Sequence, residues 1–183
     1  LIVVVCFYCL TNLLAMQNIK NTEPDPYREI MANFIVDEGA WDALDFDSKI
    51  YGAGVIQGAA QSINLVTKEQ LELSVMLSND TKLRELNGYF RNIDKPTNVL
   101  SFPYEDEEGV DTSYLGDIAI SYETIYREAK EQEKEFQNHF AHMLLHGFLH
   151  LLGYDNIEDK DRNEMEALEV SILKNFNISN PYI

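Results

Sequence analysis

The sequence predicts an α+β domain built around one buried helix. Three observations carry that expectation. Residues 136–152 are apolar almost all round, and a helix with so little charge belongs at the centre of a domain. Residues 71–77 alternate apolar and polar side chains, the period of a half-buried strand. Shorter strand candidates stand at 34–36, 98–104 and 116–121, with helical patterns at 48–65, 79–90 and 123–134 among them.

A chain of 183 residues makes one domain of ordinary size, or a domain with an extension. Its 45% hydrophobic residues suffice for a core without disulfides. The only cysteines, Cys6 and Cys9, lie in the first ten residues, so cysteine usage fits a reducing compartment or is silent. The formal net charge of -17 repels polyanions over the chain as a whole. A nucleic-acid role therefore has to rest on a local basic patch.

Residues 1–16 are apolar. They fall short of the roughly 20 residues of a membrane span, and no positive start precedes them as in a signal peptide. They are expected to be an extension outside the folded domain. Cys6 and Cys9 have the C-x-x-C spacing of redox and zinc pairs, but no second pair accompanies them. Residues 17–30, with Pro24 and Pro26, read as a linker. Domain-like patterning begins at Met31, so the domain is expected to span 31–183.

Residues 34–36 form a short strand candidate, with Trp41 expected to pack near it. In the helix of 48–65, Ile50, Val55, Ile56, Ala59, Ala60, Ile63 and Leu65 recur at helical spacing. Gly52, Gly54 and Gly58 weaken it locally. No Lys-Ser/Thr follows them as in a phosphate loop, so close helix packing is their expected use. After the strand of 71–77, Asn79 or Asp80 caps a helix through Leu83, Leu86 and Phe90. Lys82, Arg84, Arg91 and Lys95 make this segment locally positive. Arg91 is placed just past the helix and before a strand, where a side chain can point into a cleft. Pro103 ends the strand of 98–104. The acidic stretch 105–111 lacks EF-hand spacing and reads as a solvated loop.

All four histidines, at 139, 142, 146 and 150, fall on the central helix. Residues four apart lie one turn apart, with about 5–6 Å between Cβ atoms, so two imidazoles at that spacing can share one ion. His142 and His150 are about 12 Å apart along the axis, too far for that. Gly153 stands where a glycine stops a helix, and the chain then turns back towards His150. The expected metal pair is therefore His146 and His150, with a third group from Asp155 or Asn156. His142 is assigned to packing around the site, and His139 to structure or surface. The spacing is that of H-x-x-x-H-x-x-G-x-x-H zinc sites, with Asn156 at the last position. Zinc on three protein ligands and a water activates that water as a nucleophile. A metalloprotease would carry glutamate directly after the first histidine; here that residue is Gly147.

The segment from His146 through Gly147, His150, Gly153 and Asp155 to Asn156 resembles the signature of the YbeY family, bacterial endoribonucleases of ribosomal RNA maturation. Phe90-Arg91 before Lys95-Pro96-Thr97, the run of residues 97–103, and Leu115-Gly116-Asp117-Ile118 agree with it. So do Met165, Glu166, Leu168 and Glu169. The resemblance implies a small mixed fold, a sheet of about four strands with several helices. It implies a cytoplasmic, single-strand-specific endoribonuclease acting in 16S rRNA 3′-end processing and ribosome quality control. Single-stranded RNA and the small ribosomal subunit are the implied partners, with no stable membrane association for 31–183. His146 and His150 inherit the ligation of one Zn(2+) per chain, His146 also counting with Arg91 as catalytic. Lys82, Arg84 and Lys95 are candidates for holding the RNA backbone.

The family has histidine where this chain has Asn156. An amide oxygen is a weaker, harder donor than imidazole, so zinc is expected to be kept at lower affinity, with Asp155 as substitute donor. A second reading is a ribosome-assembly factor whose metal site is weakened or inactive. A minimal metalloprotease is a third, disfavoured by Gly147. Within the nuclease reading, attack by metal-bound water and by the substrate's own 2′-OH both stay open.

Overall fold

The computed structural model of the chain describes residues 30–65, 70–104 and 113–183. The expected apolar extension with its cysteine pair, and the acidic stretch 105–111, lie outside the described residues. Four strands form one mixed sheet in the order β1-β2-β4-β3. Strand β1 (Met31–Val36) runs parallel to β2 (Glu72–Ser78), and β2 parallel to β4 (Tyr114–Ser121). The edge strand β3 (Val99–Pro103) is antiparallel to β4, with Ser101 opposite Ile118. Five helices accompany them among the described residues: α1 (Ser48–Ser62), α2 (Asp80–Arg91), α3 (Tyr122–Glu131), α4 (Phe136–Leu151) and α5 (Asp159–Lys174). The expected α+β class, its four strands and its central helix are all present.

Alternation along the strands sorts the side chains between two cores. Leu73, Val75, Leu77, Ile118 and Ile120 face the larger one, filled by α1, α4 and α5. Leu100 and Ala119 face the smaller one, closed by Leu83 of α2. Asp47 caps α1 by accepting from the N–H groups of Lys49 and Ile50, both at 3.0 Å. Of the two residues proposed to cap α2 it is Asn79 that does so, accepting from Lys82 N–H at 2.9 Å. Such caps satisfy amides that the first turn leaves unpaired.

Two local expectations change. The first helix stops at Ser62, where Asn64 takes a positive φ of 52°. Ile50 is 74% exposed and is not part of its buried face. Close packing does account for two of its glycines: a Cβ would lie 2.7 Å from the Phe34 ring at Gly52, and 2.5 Å from the Phe176 ring at Gly58. Nothing crowds Gly54. Trp41 is buried against Tyr122, Phe136 and Phe140, and its indole N–H donates to the Ser78 carbonyl at 2.9 Å. Among the described residues no helix is long and apolar enough to cross a membrane.

Candidate active site

Helix α4 is buried along most of its length, with Phe140, Ala141, Leu144, Leu145, Phe148 and Leu149 all fully covered. Apolar packing thus fixes the phase that turns His146 and His150 to its remaining open side. The helix ends at Gly153, whose φ is +87°. Gly153 N–H donates to the His150 carbonyl at 3.0 Å, and Tyr154 N–H to the Leu149 carbonyl at 3.1 Å. This pair of bonds reverses the chain at a left-handed residue. The reversal brings the Tyr154 carbonyl to 2.9 Å from His150 Nδ1.

Both metal-candidate rings are held by their Nδ1 atoms. A carbonyl oxygen only accepts, so His150 Nδ1 carries the proton. His146 Nδ1 stands 2.8 Å from Glu169 Oε1. Burial pushes the Glu169 carboxyl up, but the neighbouring His142 and hydrogen bonds from His146 and Tyr182 overcome it and hold the group at about 2. The carboxylate is therefore ionised, and His146 Nδ1 donates to it. The two Nε2 atoms face each other at 3.1 Å, their rings 88° apart. Burial first, then the neighbouring His146, pushes the His150 pKa down and favours its neutral form. With both Nδ1 atoms donating, the two Nε2 atoms are the ring positions left to face a shared cation. At Zn–N distances of about 2.0–2.1 Å, two nitrogens on one tetrahedral ion lie about 3.3 Å apart. The donor pair fits one imidazole-binding metal ion.

The third donor is less defined. Among the described residues no three His, Cys, Asp or Glu side chains gather as a metal cluster. Asp155 is exposed, and its carboxylate accepts from the Asn156 N–H at 2.6 Å. Asn156 lines the same cleft as the histidine pair. That cleft has a volume of about 640 Å³ and also takes in Arg91, Ser101 and Asp155. Arg91 is the last residue of α2 itself, one position earlier than the sequence suggested, with Asn92 at φ 58° behind it. Among the described residues it has no carboxylate partner within ion-pair distance. The other cations of the basic segment do not line the cleft. Arg84 is paired with Asp94 through two bonds of 2.5 and 2.8 Å, Lys82 reaches Glu85 at 3.5 Å, and Lys95 is exposed.

Residues 45–177 match the family model described as Endoribonuclease YbeY. The chain is also 48% identical to the Endoribonuclease YbeY of Bradyrhizobium diazoefficiens over 141 residues, 74% of this chain and 76% of that one. It is 43% identical to that of Sinorhizobium fredii over 153 residues, covering 80% and 88%. The chain belongs to the endoribonuclease YbeY family. A solution structure of a Thermotoga maritima protein shares the fold, with a TM-score of 0.52 at 22% identity, over 80% of this chain and 92% of that one.

In this YbeY family member two site residues escape a reading of the histidine motif alone. Glu169 is fully buried on the inward face of α5, in line with Met165, Ile172 and Leu173. A carboxylate on that apolar stripe was the available signal. Tyr182 gives no local signal; it follows α5, and its hydroxyl donates to Glu169 Oε2. Burial and the Glu169 carboxylate push the Tyr182 pKa up, which keeps this proton in place. His142 is buried, as expected of a packing residue, with Nε2 3.3 Å from the Tyr182 hydroxyl and 3.6 Å from Glu169. His139 is structural and lies inside, 2.8 Å from Glu128. Outer hydrogen-bond partners of ligating histidines are worth about 10–100-fold in metal affinity. Tyr182→Phe is expected to weaken zinc binding roughly tenfold in a chelator competition, and to lower the metal-free Tm because it too removes a donor from the buried Glu169 carboxylate. An unchanged affinity would reduce Tyr182 to packing.

Gly147 sits against the sheet. A Cβ there would lie 3.1 Å from Ile118 Cγ2 and Ser101 Oγ and 3.2 Å from Val99 Cγ2. The Ser101 hydroxyl donates to the Gly147 carbonyl at 3.1 Å. A side chain at position 147 would be aimed at Val99, Ser101 and Ile118 of the sheet, which would have to give by a few tenths of an ångström to admit it.

Proposed function

We propose that this chain is a single-strand-specific, metal-dependent endoribonuclease that processes the 3′ end of 16S rRNA and serves ribosome maturation and quality control. The observation that carries this reading is the meeting, in one cleft of an endoribonuclease family member, of the His146–His150 pair with an Arg91 that has no ion-pair partner among the described residues. His146 and His150 would hold one zinc ion, with the Asn156 amide as third donor. Such an ion supplies Lewis acidity and a water of lowered pKa.

The remaining roles belong to the chain itself. Glu169 and the Tyr154 carbonyl hold the two Nδ1 protons and so keep both Nε2 lone pairs free. Arg91 offers a planar fork of N–H donors to phosphodiester oxygens and stabilises charge that grows on them. The substrate would be unpaired RNA of the small ribosomal subunit, met in the cytoplasm by a domain of residues 31–183. Residues 1–30 would be an extension dispensable for folding.

Asn156→His provides the test. Replacing an amide oxygen by imidazole is expected to tighten zinc by at least about tenfold, in the direction set by ligand softness, and to raise cleavage of single-stranded RNA at limiting zinc. Metal content and cleavage are measured in parallel on both proteins. Absence of bound metal from both would sink the metal mechanism. Bound metal without RNA cleavage would favour the assembly-factor reading.

A further inference from the structure

Helix α2 ends in a patch that folding leaves uncovered. Tyr89 is 81% exposed, Phe90 56% and Ile93 49%. Phe90 leans on Phe102, with centroids 4.7 Å apart, and Tyr89 stands edge-on to Phe90 at 4.8 Å and 80°. Contiguous exposed apolar surface of this kind marks a contact site.

What it contacts is indicated by its neighbours. Arg91 follows Phe90 directly, and at a rise of about 1.5 Å per residue Tyr89 is only about 3 Å from it along the helix axis. Arg91 lines the cleft of the histidine pair, as do Ser101 and Pro103 on either side of Phe102. β3 is an edge strand, so the patch and the cleft occupy the two faces of one sheet edge. A strand of RNA wrapped over that edge meets both. Of the cations in residues 80–95, Arg91 is the one that lines the cleft, and it has no ion-pair partner among the described residues, so it is the charge available to a phosphate.

We infer that Tyr89 and Phe90 form a stacking platform for unpaired nucleobases of the RNA strand whose phosphate Arg91 holds. The inference rests on the nuclease reading above and adds its means of selecting substrate. Aromatic rings stack on any base, because every base has a π-face, so the platform does not read sequence. Bases of a duplex are already stacked on one another and cannot use it. Single strands are favoured for that reason.

The test is fluorescence anisotropy on the full chain as purified, with a labelled 2′-O-methyl RNA strand whose integrity is checked on a gel. Tyr89→Ala and Phe90→Leu are each expected to weaken binding roughly tenfold. Tyr89 is too exposed to support folding, and leucine keeps an apolar contact on Phe102. Ile50→Ala, at an equally exposed but distant site, is expected to bind as the native chain does. A matching strand with abasic positions should bind the native chain more weakly, and the aromatic variants should lose little further on it. Variants that bind the full strand like the native chain would overturn the platform, as would an equal loss on full and abasic strands. Self-association abolished by Tyr89→Ala, with RNA binding untouched, would make the patch a protein interface and overturn it too. A native chain that cleaves RNA while the variants bind normally removes the platform alone. A native chain that neither binds nor cleaves RNA removes the nuclease reading with it.

Discussion

Arg91→Ala is expected to slow cleavage of single-stranded RNA by about 10²–10³-fold at unchanged zinc content. The guanidinium sits at the exposed end of α2, and among the described residues no carboxylate pairs with it. Stability should move by no more than about 0.5 kcal/mol, as for surface substitutions generally. The loss should fall on kcat, because charge develops on the phosphate oxygens only as the bond breaks. Arg91→Lys should recover a part, since it restores the charge without the two-pronged geometry. Single-turnover kinetics at saturating RNA separate the cases: a rise in KM with kcat intact would reduce Arg91 to a binding residue.

The two histidines of the pair are expected to respond alike in metal content and differently in stability. His150→Ala and His146→Ala should each lose zinc and RNA cleavage. In His150→Ala the group left behind is the Tyr154 carbonyl, in the turn after the helix where water can replace the imidazole. In His146→Ala it is Glu169, fully buried and ionised, deprived of one of its two hydrogen-bond donors. An unpaired buried group costs about 1–3 kcal/mol, and more when charged. His146→Ala should therefore unfold several degrees lower than His150→Ala when both are compared metal-free, at about 2–4 °C per kcal/mol for a chain of this size. Equal melting temperatures would show that Glu169 does not rely on His146.

What the sequence disclosed about this site is what lies close together along the chain. The pairing of His146 with His150 follows from helix pitch, and the reversal at Gly153 from a local backbone rule; both are present as expected. Glu169 and Tyr182 belong to the same hydrogen-bonded group, but they are brought in by the packing of α5 on α4, from 23 and more residues away. No local pattern encodes that approach. The basic segment divides for a similar reason: Arg84 finds Asp94 ten residues on, while Arg91, similar in sequence context, lines the cleft without an ion-pair partner among the described residues. The strands were legible from alternation and their order was not, because parallel pairing of β2 with β4 depends on contacts across the sheet. Ile50 shows the limit of periodicity: it keeps helical register with the core residues and still faces solvent.

The seat of Gly147 on the sheet limits what this scaffold can be converted into. An engineer seeking peptide hydrolysis would install a carboxylate after His146. It would be driven among Val99, Ser101 and Ile118, since the helix phase that aims residue 146 into the cleft aims residue 147 at the sheet. Conversion would need those three side chains to yield as well, or a base brought from another segment. Between the two chemistries stands the packing of the helix on the strands, so the base and the side chains around it would have to change together.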